Sequence, residues 1–316
     1  MRLAFKNTVA AWAVAALLVG SGTASADALL STADGNVTVG VNELGSLFNG
    51  DGGPMTGINY AGVGDALTPG CLCEGWGVSY GAANTGNVYA GSPTNVDFVS
   101  FVTDGSTFAT SVTTMDSLTV TQAYARPAGS GALIENTVTI TNTGAVALTD
   151  VRYARNMDWD VPPTTFSEMV TIQRGGSTAL LHSTNDGFSA SNPLAPPGTL
   201  CGAPANSDYV DFGPCDHGAW FSFGFGTLDP GESITFSIFY GATANEALAI
   251  AALAGVAAEV YSLGQNSRTP SVGDPATYIF GFAGVGGTPV TAPEPALMLL
   301  TGIAAAGAAY RRRRKA

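Results

Sequence analysis

The densest group of residues able to do chemistry runs Arg152-Tyr153-Ala154-Arg155-Asn156-Met157-Asp158-Trp159-Asp160, with Pro162-Pro163 just behind it. On an extended strand Asp158 and Asp160 share one face and Trp159 takes the other. Two neighbouring carboxylates could hold Ca²⁺, with backbone carbonyls as further ligands. They could also act as acid and base on a glycosidic bond, which needs carboxyl groups about 5–9 Å apart. Two residues on one strand face stand about 7 Å apart at the Cα, so spacing allows it. A purely structural reading pairs Arg152 or Arg155 with one of these aspartates and fixes the strand end before Pro162. The loop acids Asp208, Asp211 and Asp216 form a second Ca²⁺ candidate, without EF-hand spacing.

Other catalytic patterns are missing from the sequence. The two histidines, His182 and His217, have no Gly-x-Ser-x-Gly elbow near them. The Gly-rich stretches lack the strand, loop and helix context and the Lys of a phosphate-binding loop. Four cysteines, Cys71, Cys73, Cys201 and Cys215, remain. One pairing joins Cys201 to Cys215 around a Gly, Pro, Asn and Asp loop and leaves Cys71 with Cys73. A crossed pairing of the two segments is the alternative. A zinc site with His217 nearby is the functional reading of the same residues, but the spacing matches no common zinc ribbon. Trp76, Trp159 and Trp220, with Phe221, Phe223 and Phe225, could form a sugar-stacking platform. Phe221, Phe223 and Phe225 share one strand face, which equally suits a core.

The elements that must position these residues are mostly strands. Asn36–Val41, Val96–Val102, Ser117–Tyr124, Leu133–Thr141 and Ala147–Tyr153 alternate with period two and are rich in Val, Ile, Thr and Tyr. Asn142-Thr143-Gly144 reads as the turn of a hairpin joining the last two. Further strands are expected at Met169–Gln173, Ala179–His182, Ala219–Gly224, Ser233–Gly241 and Thr277–Phe282. One helix is predicted from Asn245, as its cap, to Leu263. This is a mainly β chain, read as one large antiparallel β-sandwich with a late α-helix. A loose analogy favours the supersandwich kind seen in sugar-handling proteins.

Both chain ends carry addresses. Arg2 and Lys6, an apolar Val9–Gly20 and Ala24-Ser25-Ala26 make an N-terminal signal peptide over residues 1–26, cut after Ala26 by signal peptidase. The body spans 27–283 and a Gly/Pro linker 284–292. Then come Pro293-Glu294-Pro295, an apolar helix over 296–310, and Arg311, Arg312, Arg313, Arg314 and Lys315. That helix would be roughly 22 Å long at 1.5 Å per residue, short against a hydrocarbon core of about 30 Å. The basic tail should stay cytoplasmic, leaving the body on the outer side. Without its targeting ends the chain holds 23 acidic and five basic residues, and no Lys. Such a balance excludes a phosphate-binding basic face, and with it nucleic acid, and docking to anionic lipid.

The order Pro-Glu-Pro, short apolar helix and basic stop resembles the PEP-CTERM sorting signal of Gram-negative, exopolysaccharide-making bacteria. The resemblance implies recognition by a membrane-embedded exosortase and cleavage near Pro293–Pro295. It implies an inner-membrane-anchored intermediate that ends at the cell surface or in the extracellular matrix. Residues 142–172, with Asn-Thr-Gly, Asp-Trp-Asp, Pro-Pro and Phe-x-Glu, resemble a block of exported bacterial proteins that often bear this tail. The likeness extends to Glu74-Gly75-Trp76-Gly77 and implies no settled activity. The expected role is therefore structural or adhesive, with exopolysaccharide as a candidate partner and Ca²⁺ as a candidate cofactor. The alternative is a secreted carbohydrate-active enzyme using Asp158 and Asp160, and the residues favour the non-enzymatic body.

Overall fold

The computed structural model describes residues 27–49, 55–268 and 275–292. The expected signal peptide with Ala24 and Ala26, and the tail with Pro293, Glu294, Pro295, helix 296–310 and Arg311–Arg314, lie outside the described residues. No helix among the described residues is long and apolar enough to cross a membrane.

The chain is mainly β. It opens with β1 (Asp27–Ser31), β2 (Val37–Asn42), β3 (Ile58–Tyr60), β4 (Gly64–Asp65), β5 (Glu74–Tyr80), β6 (Asn84–Tyr89) and β7 (Ser92–Thr94). Next come β8 (Asp97–Thr103), β9 (Ala109–Met115), β10 (Leu118–Ala125), β11 (Leu133–Asn142), β12 (Leu148–Asp158) and β13 (Glu168–Gln173). Then follow β14 (Leu180–Thr184), β15 (Tyr209–Cys215), β16 (Gly218–Leu228), β17 (Ser233–Thr243), α1 (Glu246–Gly255), β18 (Val260–Asn266) and β19 (Thr277–Ala283). The strands form three antiparallel sheets. A nine-stranded sheet runs β15-β13-β18-β19-β17-β11-β10-β9-β8, a six-stranded one β14-β16-β12-β5-β6-β7, and a four-stranded one β1-β2-β3-β4.

One core joins all three sheets. Rings from the six-stranded sheet meet rings from the nine-stranded one: Phe221 on Phe280 at 5.6 Å, Phe223 on Phe282 at 4.8 Å and Tyr153 on Phe236 at 5.0 Å. A second, smaller cluster lies on the outer face of the nine-stranded sheet, where Ala249 and Leu253 of α1 cover Leu133, Phe239 and Ile279. Strands covered on both faces read as near-continuous apolar runs, as Tyr-Ile-Phe-Gly-Phe does in β19.

Two expectations about elements are corrected. Residues 133–141 and 147–153 do not form a hairpin. β11 pairs with β10 and β17, while β12 belongs to the other large sheet, beside β5 and β16. Asn142 makes this a crossing between sheets, because its side-chain amide donates to the carbonyls of Val146 and Leu228. The helix is shorter than predicted. Asn245 caps it, accepting from the Leu248 N–H, but it ends at Gly255, and Val260–Leu263 belong to β18. A positive φ of 53° at Ala257 turns the chain out of the helix there.

The stretch expected as a linker is docked on the body. The Glu259 carboxylate accepts from the N–H groups of Gly284, Val285 and Gly287, and Val290 donates to the Ala258 carbonyl. The disulfides join Cys71 to Cys73 and Cys201 to Cys215, the first of the two pairings considered. Two disulfides fit an oxidising, exported setting.

Candidate metal centre

β12 delivers the Asp-Trp-Asp segment to one end of the sheets, where three consecutive N–H groups are pinned to three other segments. Asp158 donates to the Cys73 carbonyl at 2.9 Å, Trp159 to His217 at 3.4 Å and Asp160 to Ala66 at 2.8 Å. The Trp159 ring points inward, and its Nε1 donates to Ser262 Oγ at 3.0 Å. Glycine makes room for it: a Cβ at Gly264 would fall 2.6 Å from Trp159 Cδ2. β12 ends at Asp158, and the carboxylates on either side of the buried Trp159 come together just past that end.

Asp216, from the turn between β15 and β16, meets them there. One carboxylate oxygen from each of Asp158, Asp160 and Asp216 lies within 4.8 Å of the other two. Asp158 is 2% exposed and Asp160 is 0% exposed. Among the described residues, Asp158 Oδ1 and both carboxylate oxygens of Asp160 have no hydrogen-bond partner. Buried polar groups are nearly always satisfied, so such atoms require an explanation. Glu168, at the start of β13, is also buried beside them, and neither of its carboxylate oxygens is hydrogen-bonded.

The electrostatics follow from burial and like charge. Burial first, then Asp160, Asp216, Glu168 and Asp186, pushes the Asp158 carboxyl up to about 9. Burial, then Asp216 and Asp65, lifts Asp160 to about 7. Burial lifts Glu168 to about 8, with Asp160 adding to it and the nearby N–H groups of residues 166–168 opposing. Burial also depresses His217 to about 4. Its Nδ1 lies 2.8 Å from Asn185 Nδ2, and its Nε2 has no partner.

The structural reading that paired Arg152 or Arg155 with these aspartates is corrected. Arg155 Nη2 lies 2.6 Å from Glu74 and Arg152 Nη2 lies 2.7 Å from Asp150. The second Ca²⁺ candidate divides. Asp208 accepts from the Arg174 N–H and Asp211 sits against Thr171, while Asp216 joins Asp158 and Asp160. The aromatic platform is also corrected, because Trp76, Trp159, Trp220, Phe221 and Phe223 are all 0% exposed and form core.

Chemically, a set of hard carboxylate oxygens suits a hard divalent cation. Ca²⁺ binds oxygens at 2.3–2.6 Å, so ligands on opposite sides of one ion stand about 5 Å apart at most. Three oxygens that all lie within 4.8 Å of one another can share that shell. Sequence reasoning found Asp158 and Asp160 but not their union with Asp216 and Glu168. The Phe166-Ser167-Glu168 motif was the available signal for the last. No protein-family model matches this chain, and no curated protein matches it significantly.

Proposed function

We propose that this chain is an exported cell-envelope or extracellular-matrix protein, delivered through an exosortase, with a structural or adhesive role. Its body is a large supersandwich-like β-sandwich that Ca²⁺ locks at Asp158, Asp160 and Asp216. The observation that carries the cation reading is a cluster of two buried carboxylates, Asp158 and Asp160, and the exposed Asp216, in which Asp158 Oδ1 and both Asp160 oxygens have no hydrogen-bond partner and no Lys or Arg pairs with them among the described residues. A bound divalent ion supplies the missing charge and fills the free lone pairs. The disulfides and the acidic, Lys-free body agree with an exported destination.

Glycan hydrolysis stands second. Its two carboxyl groups must flank a sugar ring, about 5–9 Å apart. Asp158 and Asp160 bring one carboxylate oxygen each to within 4.8 Å of the other and are almost fully covered, which leaves a sugar ring little access to them.

The test is a thermal melt of the full chain with Ca²⁺ and after chelation. A stabilisation by Ca²⁺ that disappears in Asp160→Asn supports the reading. Identical melts with and without Ca²⁺ would remove the cation from it. Release of new reducing ends from exopolysaccharide, abolished by Asp158→Asn, would turn the assignment to the enzyme.

A further inference from the structure

The bridge between Cys71 and Cys73 closes a loop across only two positions of sequence, with Cα atoms 5.1 Å apart. A disulfide stabilises mainly by restricting the unfolded chain, and so short a loop restricts it little. The Cys201–Cys215 bridge, across 14 positions, is the better staple. What distinguishes Cys71–Cys73 is its position. Cys71 is exposed, and its Sγ lies 3.8 Å from Asp158 Oδ2. One ligand atom each from Cys71, Cys73 and Asp158 lies within 4.8 Å of the other two. Asp158 is 2% exposed and its Oδ1 has no partner. Tyr89 Oη, 3.1 Å from Cys73 Sγ, supports the sulfur from the side.

We propose that Cys71, Cys73 and Asp158 form a redox-gated site for Zn²⁺. The step needs a dithiol reductant. One of its thiolates attacks the exposed Cys71 Sγ, the S–S bond breaks, and Cys73 leaves as a thiolate and takes up a proton. The reductant's second thiolate then attacks the mixed disulfide and frees Cys71, and the reductant departs as its own cyclic disulfide. Two electrons and two protons have moved from the reductant to the pair. Zn²⁺ then displaces one proton from each thiol and binds both thiolates and the Asp158 carboxylate, with a fourth position open to water. Thiolates favour Zn²⁺ over Ca²⁺, so reduction changes which metal this end of the sheets takes. The inference goes beyond the Ca²⁺ reading and shares only Asp158 with it.

The experiment uses the full chain in detergent, oxidised or treated with a dithiol that is then removed without air. Zn²⁺ uptake is read by competition with a chromogenic chelator. Co²⁺ substitution reports sulfur ligation through its thiolate charge-transfer absorption. The reduced chain should take one Zn²⁺ and show that absorption, and the oxidised chain should show neither. Cys71→Ser should abolish the absorption while circular dichroism stays unchanged. Asp158→Asn should weaken Zn²⁺ roughly tenfold or more, with Asp158→Glu restoring part of the affinity if the amide variant folds poorly. A Cys201→Ser, Cys215→Ser double variant should keep the site. Equal Zn²⁺ uptake by both redox states, absorption that survives Cys71→Ser, or loss with the Cys201 and Cys215 pair would overturn the proposal. Ca²⁺ binding by the oxidised chain is measured in parallel, and its failure would remove the Ca²⁺ site at Asp158, Asp160 and Asp216 while leaving the Zn²⁺ site to its own result.

Discussion

Arg155 Nη2 stands 2.6 Å from Glu74 Oε1, with side chains 0% and 2% exposed. Arg155 also donates to Gln122 Oε1 at 2.7 Å and to the Gly45 carbonyl at 3.1 Å, and its guanidinium lies over the Tyr240 ring at 5.5 Å. Burial alone would lower its pKa, but Glu74 and the surrounding tyrosines hold it well above the ordinary value. The cation nearest in sequence to Asp158 is thus committed to a partner 81 positions away. That commitment leaves the Asp158 and Asp160 pair without a side-chain counter-ion among the described residues and opens it to a metal.

The Glu74–Arg155 pair should be costly to break from one side. Glu74→Ala leaves a buried guanidinium uncompensated, which costs about 3–5 kcal/mol. Replacing both by apolar residues, Glu74→Leu with Arg155→Met, should recover part of that loss. Urea unfolding checks it. A Glu74→Ala cost below about 1 kcal/mol would mean the pair is dispensable.

The metal-free chain should weaken toward alkaline pH. Folded Asp160, Glu168 and Asp158 titrate near 7, 8 and 9, whereas unfolded carboxyls titrate near 4. Over that interval the folded chain holds more protons than the unfolded one, so stability falls as pH rises. His217, depressed to about 4, has the opposite slope, but it acts only up to its unfolded value near 6.5. Between pH 6.5 and 9 the carboxyls therefore decide the sign. Calorimetric melts in chelator should show Tm dropping by about 5 °C or more over this window, with Ca²⁺ cancelling most of the drop. A metal-free Tm that rises over the same window would contradict the cluster's electrostatics.

Asp160→Asn should separate stability from binding. It removes one of the crowded charges without changing shape, so at pH 8 the metal-free variant should melt higher than the parent, by a few degrees. With Ca²⁺ present the order should reverse. A variant less stable than the parent in both conditions would mean that Asp160 is held by protein contacts alone.

The alternating strands were readable from sequence, and so was the apolar run of Thr277–Ala283, but the Gly-rich strand Glu74–Tyr80 was not. Leu118–Ala125 and Leu133–Asn142 alternate buried and half-buried residues, and their bounds match the expectation within a residue. Glu74–Tyr80, E-G-W-G-V-S-Y, is buried from Glu74 to Ser79 and has no period to read. Its glycines are there because other backbone comes close: a Cβ at Gly75 would fall 2.2 Å from the Val88 carbonyl oxygen. The site was half legible for a similar reason. Asp158 and Asp160 are neighbours in sequence, while Asp216 and Glu168 reach them only through the pairing of β12 with β16 and of β13 with β15. The partner of Arg155 was not legible either, since local spacing favours the nearby aspartates over a carboxylate on β5.

The sorting proposal has its own assay. Changing Pro293-Glu294-Pro295 to alanines should hold the chain in the inner membrane, and removing Arg311–Lys315 should let it slip its anchor. Cell fractionation with an antibody to the body reads both. Unchanged surface delivery of both variants would separate this chain from exosortase processing.

The proposed cation at the Asp158, Asp160 and Asp216 carboxylates can be measured by itself. Isothermal titration of Ca²⁺ into the oxidised full chain at pH 8 tests it most directly. One Ca²⁺ should bind per chain, and that binding should be lost in Asp160→Asn and in Asp216→Asn. Absence of binding, or binding that both variants retain, would contradict it.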